Sequence, residues 1–175
     1  MKLTKNIRSE EVLPEAYHKR YGAKNGMRAM NPSTFLTVQY LIDTFGWEYV
    51  EINTWLWGGV RDESGLRIKG HNYYRNGWGL HDNGNAIDFR PYYIKDGEKK
   101  YYPIIDIHKE LLECTYIRDR MRALGVYRME VAWLATTWIH LDCEYTRDQA
   151  DLIFVSKDKR FSLGEYEKEI KERYG

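Results

Sequence analysis

His81 and Asp88 stand seven positions apart in the stretch His81-Asp82-Asn83-Gly84-Asn85-Ala86-Ile87-Asp88, with small residues at Gly84 and Ala86 where bulk would crowd them. An imidazole and a carboxylate at this spacing are metal-ligating groups. A second stretch, Trp138-Ile139-His140-Leu141-Asp142, supplies another imidazole. Side chains alternate between the two faces of a strand, so Ala86 and Asp88 share one face and Ile87 and Phe89 the other. By the same alternation Trp138, His140 and Asp142 oppose Ile139 and Leu141. If the two strands are neighbours, Asp88 meets His140. Gly84 takes turn conformations that other residues resist, which lets the chain fold back and bring His81 to the same point. Two His and one Asp with a fourth position left open is the arrangement of a catalytic zinc, whereas structural zinc is normally closed by four Cys or His ligands. His81, Asp88 and His140 are therefore the expected Zn2+ ligands.

Hydrolysis at such a zinc also needs a base for the attacking water and a proton donor for the leaving group. Glu130 is the first candidate. It alternates in phase with Arg128 and Ala132, and a short loop over 135–137 places it on the face of His140 and Asp142. Asp142 is the alternative base. The Arg67 guanidinium can hold a carboxylate or a developing oxyanion with paired donors; its competing role is a salt bridge to Asp62 or Glu63. His71 either lines the substrate cleft or sits in a solvated loop. His18 and His108 have polar or charged neighbours and no motif, and read as surface residues.

The pattern H-x-x-G-x-A-x-D followed by W-x-H-x-D resembles the zinc D-Ala-D-Ala carboxypeptidase family, which includes phage L-alanyl-D-glutamate endopeptidases and shares its fold with the hedgehog signalling domain. Ser64-Gly65-Leu66-Arg67 resembles that family's S-G-Y-R turn, and Ala86-Ile87-Asp88-Phe89 its metal-bearing strand. The resemblance covers about residues 32–143 of a single 1–175 domain. It implies that Arg67 binds the substrate carboxylate or steadies the tetrahedral intermediate, and that Asp142 orients its neighbouring ligand. In many relatives the acid lies three residues before the second His, where this chain has Thr137; others place a Glu further upstream, as Glu130 is here.

Composition narrows the classes. A chain of 175 residues is one domain's worth and large enough to bury a core. Its net charge of +1 provides none of the basic field that nucleic-acid binding uses, so no nucleic acid is expected. No apolar run serves as a signal peptide or crosses a membrane, so synthesis in the cytoplasm is expected, with action at the bacterial cell wall if the protein is phage-derived. Cys114 and Cys143 lack C-x-x-C partners and read as buried thiols. Of fifteen Tyr and six Trp, six Tyr and three Trp cluster at Trp55–Trp57, Tyr73–Trp78 and Tyr92–Tyr102. They suit half-buried strands, or a groove that stacks on glycan or peptide.

These residues require an α+β frame: a small antiparallel sheet flanked by helices, which the resemblance makes hedgehog/DD-peptidase-like. Asn31, Pro32 and Gly46 bracket a helix. Residues 48–55 read as a strand, followed by a glycine-rich loop overhanging the site. Asp96-Gly97 signals a hairpin within 92–103. Ile107, Leu111, Cys114, Ile117, Met121 and Leu124 predict one helix closed by Gly125. Residues 126–134 and 138–143 form an antiparallel pair, and Ser162 with Glu165 forms a capping box for a last helix. The expected function is zinc-dependent hydrolysis of a peptidoglycan stem peptide, at D-Ala-D-Ala or L-Ala-D-Glu. The alternatives are a non-catalytic zinc domain binding the cell wall or a protein partner, and a structural protein that uses His81 and His140 as hydrogen-bonding groups.

Overall fold

A computed structural model describes residues 1–77, 79–145 and 150–175; Trp78, part of the aromatic run singled out above, lies outside the described residues. The chain is α+β. Two helices, α1 (Ser9–Val12) and α2 (Glu15–Gly26), precede α3 (Pro32–Phe45). Asn31 caps α3 by accepting from the Ser33 N–H, Pro32 occupies its first turn, and Gly46 ends it, as predicted. Phe35, Val38, Leu41 and Ile42 recur on one face and are buried.

Strand β1 (Tyr49–Glu51) is shorter than the predicted 48–55. The reason lies at Asn53, which leaves the sheet to hold other segments: its N–H donates to Glu11 O, its Nδ2 to Leu13 O, and its Oδ1 accepts from the Ser64 N–H. Strand β2 (Ala86–Lys95) turns through Asp96 and Gly97, both at positive φ, into β3 (Glu98–Tyr101). This is the hairpin that Asp-Gly predicts.

The single helix predicted over 107–124 is two, α4 (Ile104–Glu113) and α5 (Thr115–Ala123). Cys114 between them is extended, and Arg118, almost fully buried, donates from Nη1 to the freed carbonyls of Leu111 and Leu112 while pairing with Asp151. Apolar periodicity survives such a break because both helices bury the same side, so spacing alone does not reveal it. Strands β4 (Arg128–Glu130), β5 (Ile139–Asp142), β6 (Ile153–Val155) and β7 (Arg160–Phe161) follow, then α6 (Leu163–Tyr174), whose Ser162 and Glu165 form the predicted capping box. Strand β4 ends early because the chain turns at Val131, whose carbonyl accepts from Leu134 and Ala135; the predicted short loop thus becomes a connection from Val131 to Trp138.

The sheet has seven strands in the order β1-β2-β5-β4-β6-β7, with β3 also on β2. It is mixed rather than antiparallel, because β6 runs parallel to β4. Ile87, Phe89, Met129, Ile139, Leu141 and Phe154 are fully buried on its core face. His108, read as a surface residue, is instead fully buried here: Tyr166 accepts the Ala132 N–H and has its hydroxyl 2.7 Å from His108 Nδ1. His18 is half-buried, its ring beside Trp55. Both cysteines are free thiols, half-buried rather than buried. No described helix is long and apolar enough to cross a membrane.

Candidate metal centre

Antiparallel pairing of β2 with β5 puts Asp88 directly opposite His140, and Ala86 opposite Asp142. The alternation argued from sequence therefore holds, with Ile87 and Phe89 inward and Asp88 facing a cleft. His81 arrives from a short 3-10 turn, His81–Asn83, that closes on Gly84 at φ 71°. Gly84 is required twice over. Its conformation is left-handed, and a Cβ there would lie 2.0 Å from Ala29 O. The turn is anchored to α3, since Asn31 N–H donates to Gly84 O and Asn31 Nδ2 to Asn85 Oδ1.

His81 Nε2 lies 3.3 Å from His140 Nδ1 and 3.4 Å from Asp88 Oδ1, and His140 Nδ1 lies 2.6 Å from the same oxygen. Two ligands bound tetrahedrally at zinc distances stand about 3.3 Å apart, so two of the three edges already match. The third is a hydrogen bond that opens by about 0.7 Å when a metal replaces the shared proton. The donor set therefore fits zinc. The remaining ring nitrogens are also held: His81 Nδ1 donates to Gly65 O at 2.8 Å, and His140 Nε2 lies 3.4 Å from Asp142 Oδ2. Such partners fix the tautomer and aim the ligating nitrogen.

Burial pushes the Asp88 carboxyl upward, but the charges and hydrogen bonds of His81 and His140 outweigh it and hold the pKa far below the usual carboxylate range. Burial likewise opposes charge on His140, yet Asp142 and Asp88 raise it to about 10. This cluster holds a proton of the kind that a divalent cation would displace on binding. Asp142, the alternative base, is fully buried and bound through both oxygens to Arg128, and its pKa is lowered despite burial by His140 and Arg128. It faces His140 Nε2 and not the cleft.

The cleft beside His81, Asp88 and His140 has a volume of about 680 Å³ and is lined by Glu63, Arg67, Tyr73, Glu130 and Trp138, among others. Arg128 opposes Asp142 and Met129 opposes Leu141, so Glu130 falls in line with His140, as its phase predicted. Burial raises the Glu130 pKa, partly countered by His140 and by a hydrogen bond from Trp138. Thr137 is exposed and is not part of this wall.

Arg67 is positioned by its own turn. Asn53 holds Ser64, Leu66 N–H donates to Val12 O, Arg67 N–H to His81 O, and Asp88 N–H to Ser64 O. Its side chain makes no ion pair with Asp62 or Glu63 among the described contacts. Nε donates to the Glu63 carbonyl, Nη2 lies 3.4 Å from Asp88 Oδ2, and the guanidinium sits over the exposed Tyr73 ring. His71 does not join the cleft wall; its Nε2 is 3.6 Å from Asp62, and Asp62, Glu63 and His71 present ligand atoms within 4.8 Å of one another.

Asp82 and Arg128 were not singled out from the sequence. The Asp82 carboxylate accepts from the N–H groups of Arg75, Gly77 and Gly79, holding the overhanging loop beside His81. An Asp amid glycines is the available signal, because exposed amides gather around such a group. Arg128 shares the phase of Glu130, which would have exposed it once the partner strand was known. Comparison with protein-family models, with curated proteins and with solved structures returned no match for this chain.

Proposed function

We propose that this protein is a zinc-dependent peptidase acting on peptidoglycan stem peptides, of the D-Ala-D-Ala carboxypeptidase or L-Ala-D-Glu endopeptidase type, on a hedgehog/DD-peptidase-like fold. The observation that carries the reading is the approach of His81 Nε2, Asp88 Oδ1 and His140 Nδ1 to within 3.4 Å of one another, at a cleft that also holds Glu130 and Arg67. Zinc held by these three residues supplies Lewis acidity toward water and the scissile carbonyl. Glu130, whose raised pKa favours proton uptake nearer neutrality, takes the proton from the attacking water and passes it to the leaving amine. Arg67 engages a substrate carboxylate, a group that stem peptides carry at D-Glu and at the terminal D-Ala. Trp138 lines the same cleft wall as Glu130.

Elemental analysis of the purified protein, followed by mass analysis of defined stem peptides after incubation, tests the reading and assigns the bond. Stoichiometric zinc and a single cleavage product are expected, with Glu130→Gln retaining zinc and losing turnover. Full zinc occupancy without cleavage of any stem peptide would leave the non-catalytic zinc domain, the reading that Thr137 favours.

A further inference from the structure

The two ligand histidines offer different nitrogens, Nε2 from His81 and Nδ1 from His140. An imidazole ligates through the nitrogen that carries no proton, so whatever accepts from the other nitrogen decides which one is presented. For His81 that acceptor is a backbone carbonyl, Gly65 O. For His140 the group beside the other nitrogen is a side chain, Asp142, whose Oδ2 lies 3.4 Å from Nε2 and which can rotate unless it is held.

Arg128 holds it. Across the β4–β5 pairing Arg128 stands opposite Asp142, and its Nε lies 2.9 and 3.1 Å from the two carboxylate oxygens while Nη2 lies 2.9 Å from Oδ2. The Glu144 N–H donates to Oδ1 at 3.0 Å. The remaining arm of the guanidinium, Nη1, pairs with Glu144, which lies 3.6 Å from Arg160 on β7. Alternating charges thus run from His140 through Asp142, Arg128 and Glu144 to Arg160. A planar fork fixes a carboxylate in plane and in rotation; an ammonium at the same place supplies charge without that constraint.

We propose that Arg128 is a positioning residue of the metal centre: by clamping Asp142 it keeps the His140 proton on Nε2 and so presents Nδ1 to the metal. The inference rests on the metal-site reading above and deepens it. It assigns Arg128 no contact with substrate. A purely structural Arg128, holding β4 to β5, would affect stability while leaving His140 tautomer and metal affinity alone.

The test uses the full chain as wild type, Arg128→Met and Arg128→Lys. Zinc affinity is read by competition with a chromophoric chelator, and the His140 tautomer, that is, which ring nitrogen keeps its proton while the other ligates, by long-range 15N–1H NMR of the imidazoles in the zinc-loaded protein. Arg128→Met is expected to bind zinc about 10- to 100-fold more weakly, the range for loss of a partner behind a ligand, and to show His140 as a tautomer mixture. Arg128→Lys keeps the buried charge and serves if Arg128→Met does not fold; a smaller loss of affinity is expected, with the tautomer still mixed. Wild-type affinity and a single Nε2-protonated form in either folded variant overturn the inference while leaving the metal site standing. A wild type that binds no zinc overturns both.

Discussion

His140 and His108 are both withdrawn from water, one on the cleft face of the sheet and one packed on its core face, and their proton affinities move in opposite directions. Burial pushes both downward. At His108 nothing opposes it: the ring lies against Phe154 and Tyr166, and its pKa falls to about 3. At His140 the carboxylates of Asp142 and Asp88 reverse the effect and raise it to about 10. Desolvation alone makes a neutral packing residue, whereas desolvation beside carboxylates makes a charged cluster whose protons a cation can displace. The comparison also explains why a histidine's neighbours in sequence say little about its role. Tyr166 is remote along the chain from His108, and the Asp88 that defines His140 comes from another strand.

The largest expected effect separates the two sites outright. His140→Ala removes a proposed ligand and is expected to weaken zinc binding by more than the roughly 100-fold that loss of a supporting partner costs, whereas His108→Leu is expected to leave zinc stoichiometry unchanged. Chelator competition on both variants checks this, and equal losses would erase the distinction. Next in size is Glu130→Gln, expected to lower kcat/KM on a stem peptide by about 10²- to 10⁴-fold with zinc retained. If zinc departs with activity in that variant, Glu130 belongs to the ligand set and its assignment as base fails.

A third test uses pH on the core-face histidine. Its folded pKa of about 3 lies below the ordinary His value, so between the two the unfolded chain binds a proton that the fold excludes. Stability from this group is therefore complete above about pH 6.5 and declines as pH falls toward 3, by at most about 1.4 kcal/mol per pH unit. Urea unfolding at pH 7 and pH 4.5 should show wild type losing more stability than His108→Leu. A parallel decline would mean that His108 titrates normally in the fold.

What sequence reveals follows the same division between local and distant causes. The face that carries Asp88 and His140 was legible because strand alternation is local: Ile87 and Phe89 against Asp88, Ile139 and Leu141 against His140. So were the helix begun by Asn31 and Pro32, the Asp96-Gly97 hairpin and the Ser162-Glu165 cap. The break at Cys114 was not, because the Arg118 that satisfies the broken end is tied to Asp151, far along the chain. Nor was the parallel contact of β6 with β4, which turned an expected antiparallel sheet into a mixed one. The phase of Glu130 survived a wrong loop length because the register moved by two residues, an even shift that keeps the face: Arg128 stands opposite Asp142, where a loop over 135–137 would have placed Glu130. His71 illustrates the opposite case, where proximity to Arg67 in sequence suggested the cleft but the loop turned it toward Asp62.

The smallest predicted effect isolates the hydroxyl that serves His108. Tyr166 accepts from the buried Ala132 N–H at 3.0 Å and lies 2.7 Å from His108 Nδ1, so Tyr166→Phe strips a partner from both groups without changing the ring that stacks on Phe154. Leaving such groups unpaired costs about 1–3 kcal/mol, and relaxation of a single hydroxyl site favours the lower end. Thermal or urea unfolding should show that loss, while zinc affinity and stem-peptide cleavage stay at wild-type values. Ala132 opens the turn two residues after Glu130, which makes this a sensitive check on separation of the two faces. A fall in kcat/KM beyond that of the folded fraction would mean that the core-face network also steadies Glu130, joining the two histidine sites through β4.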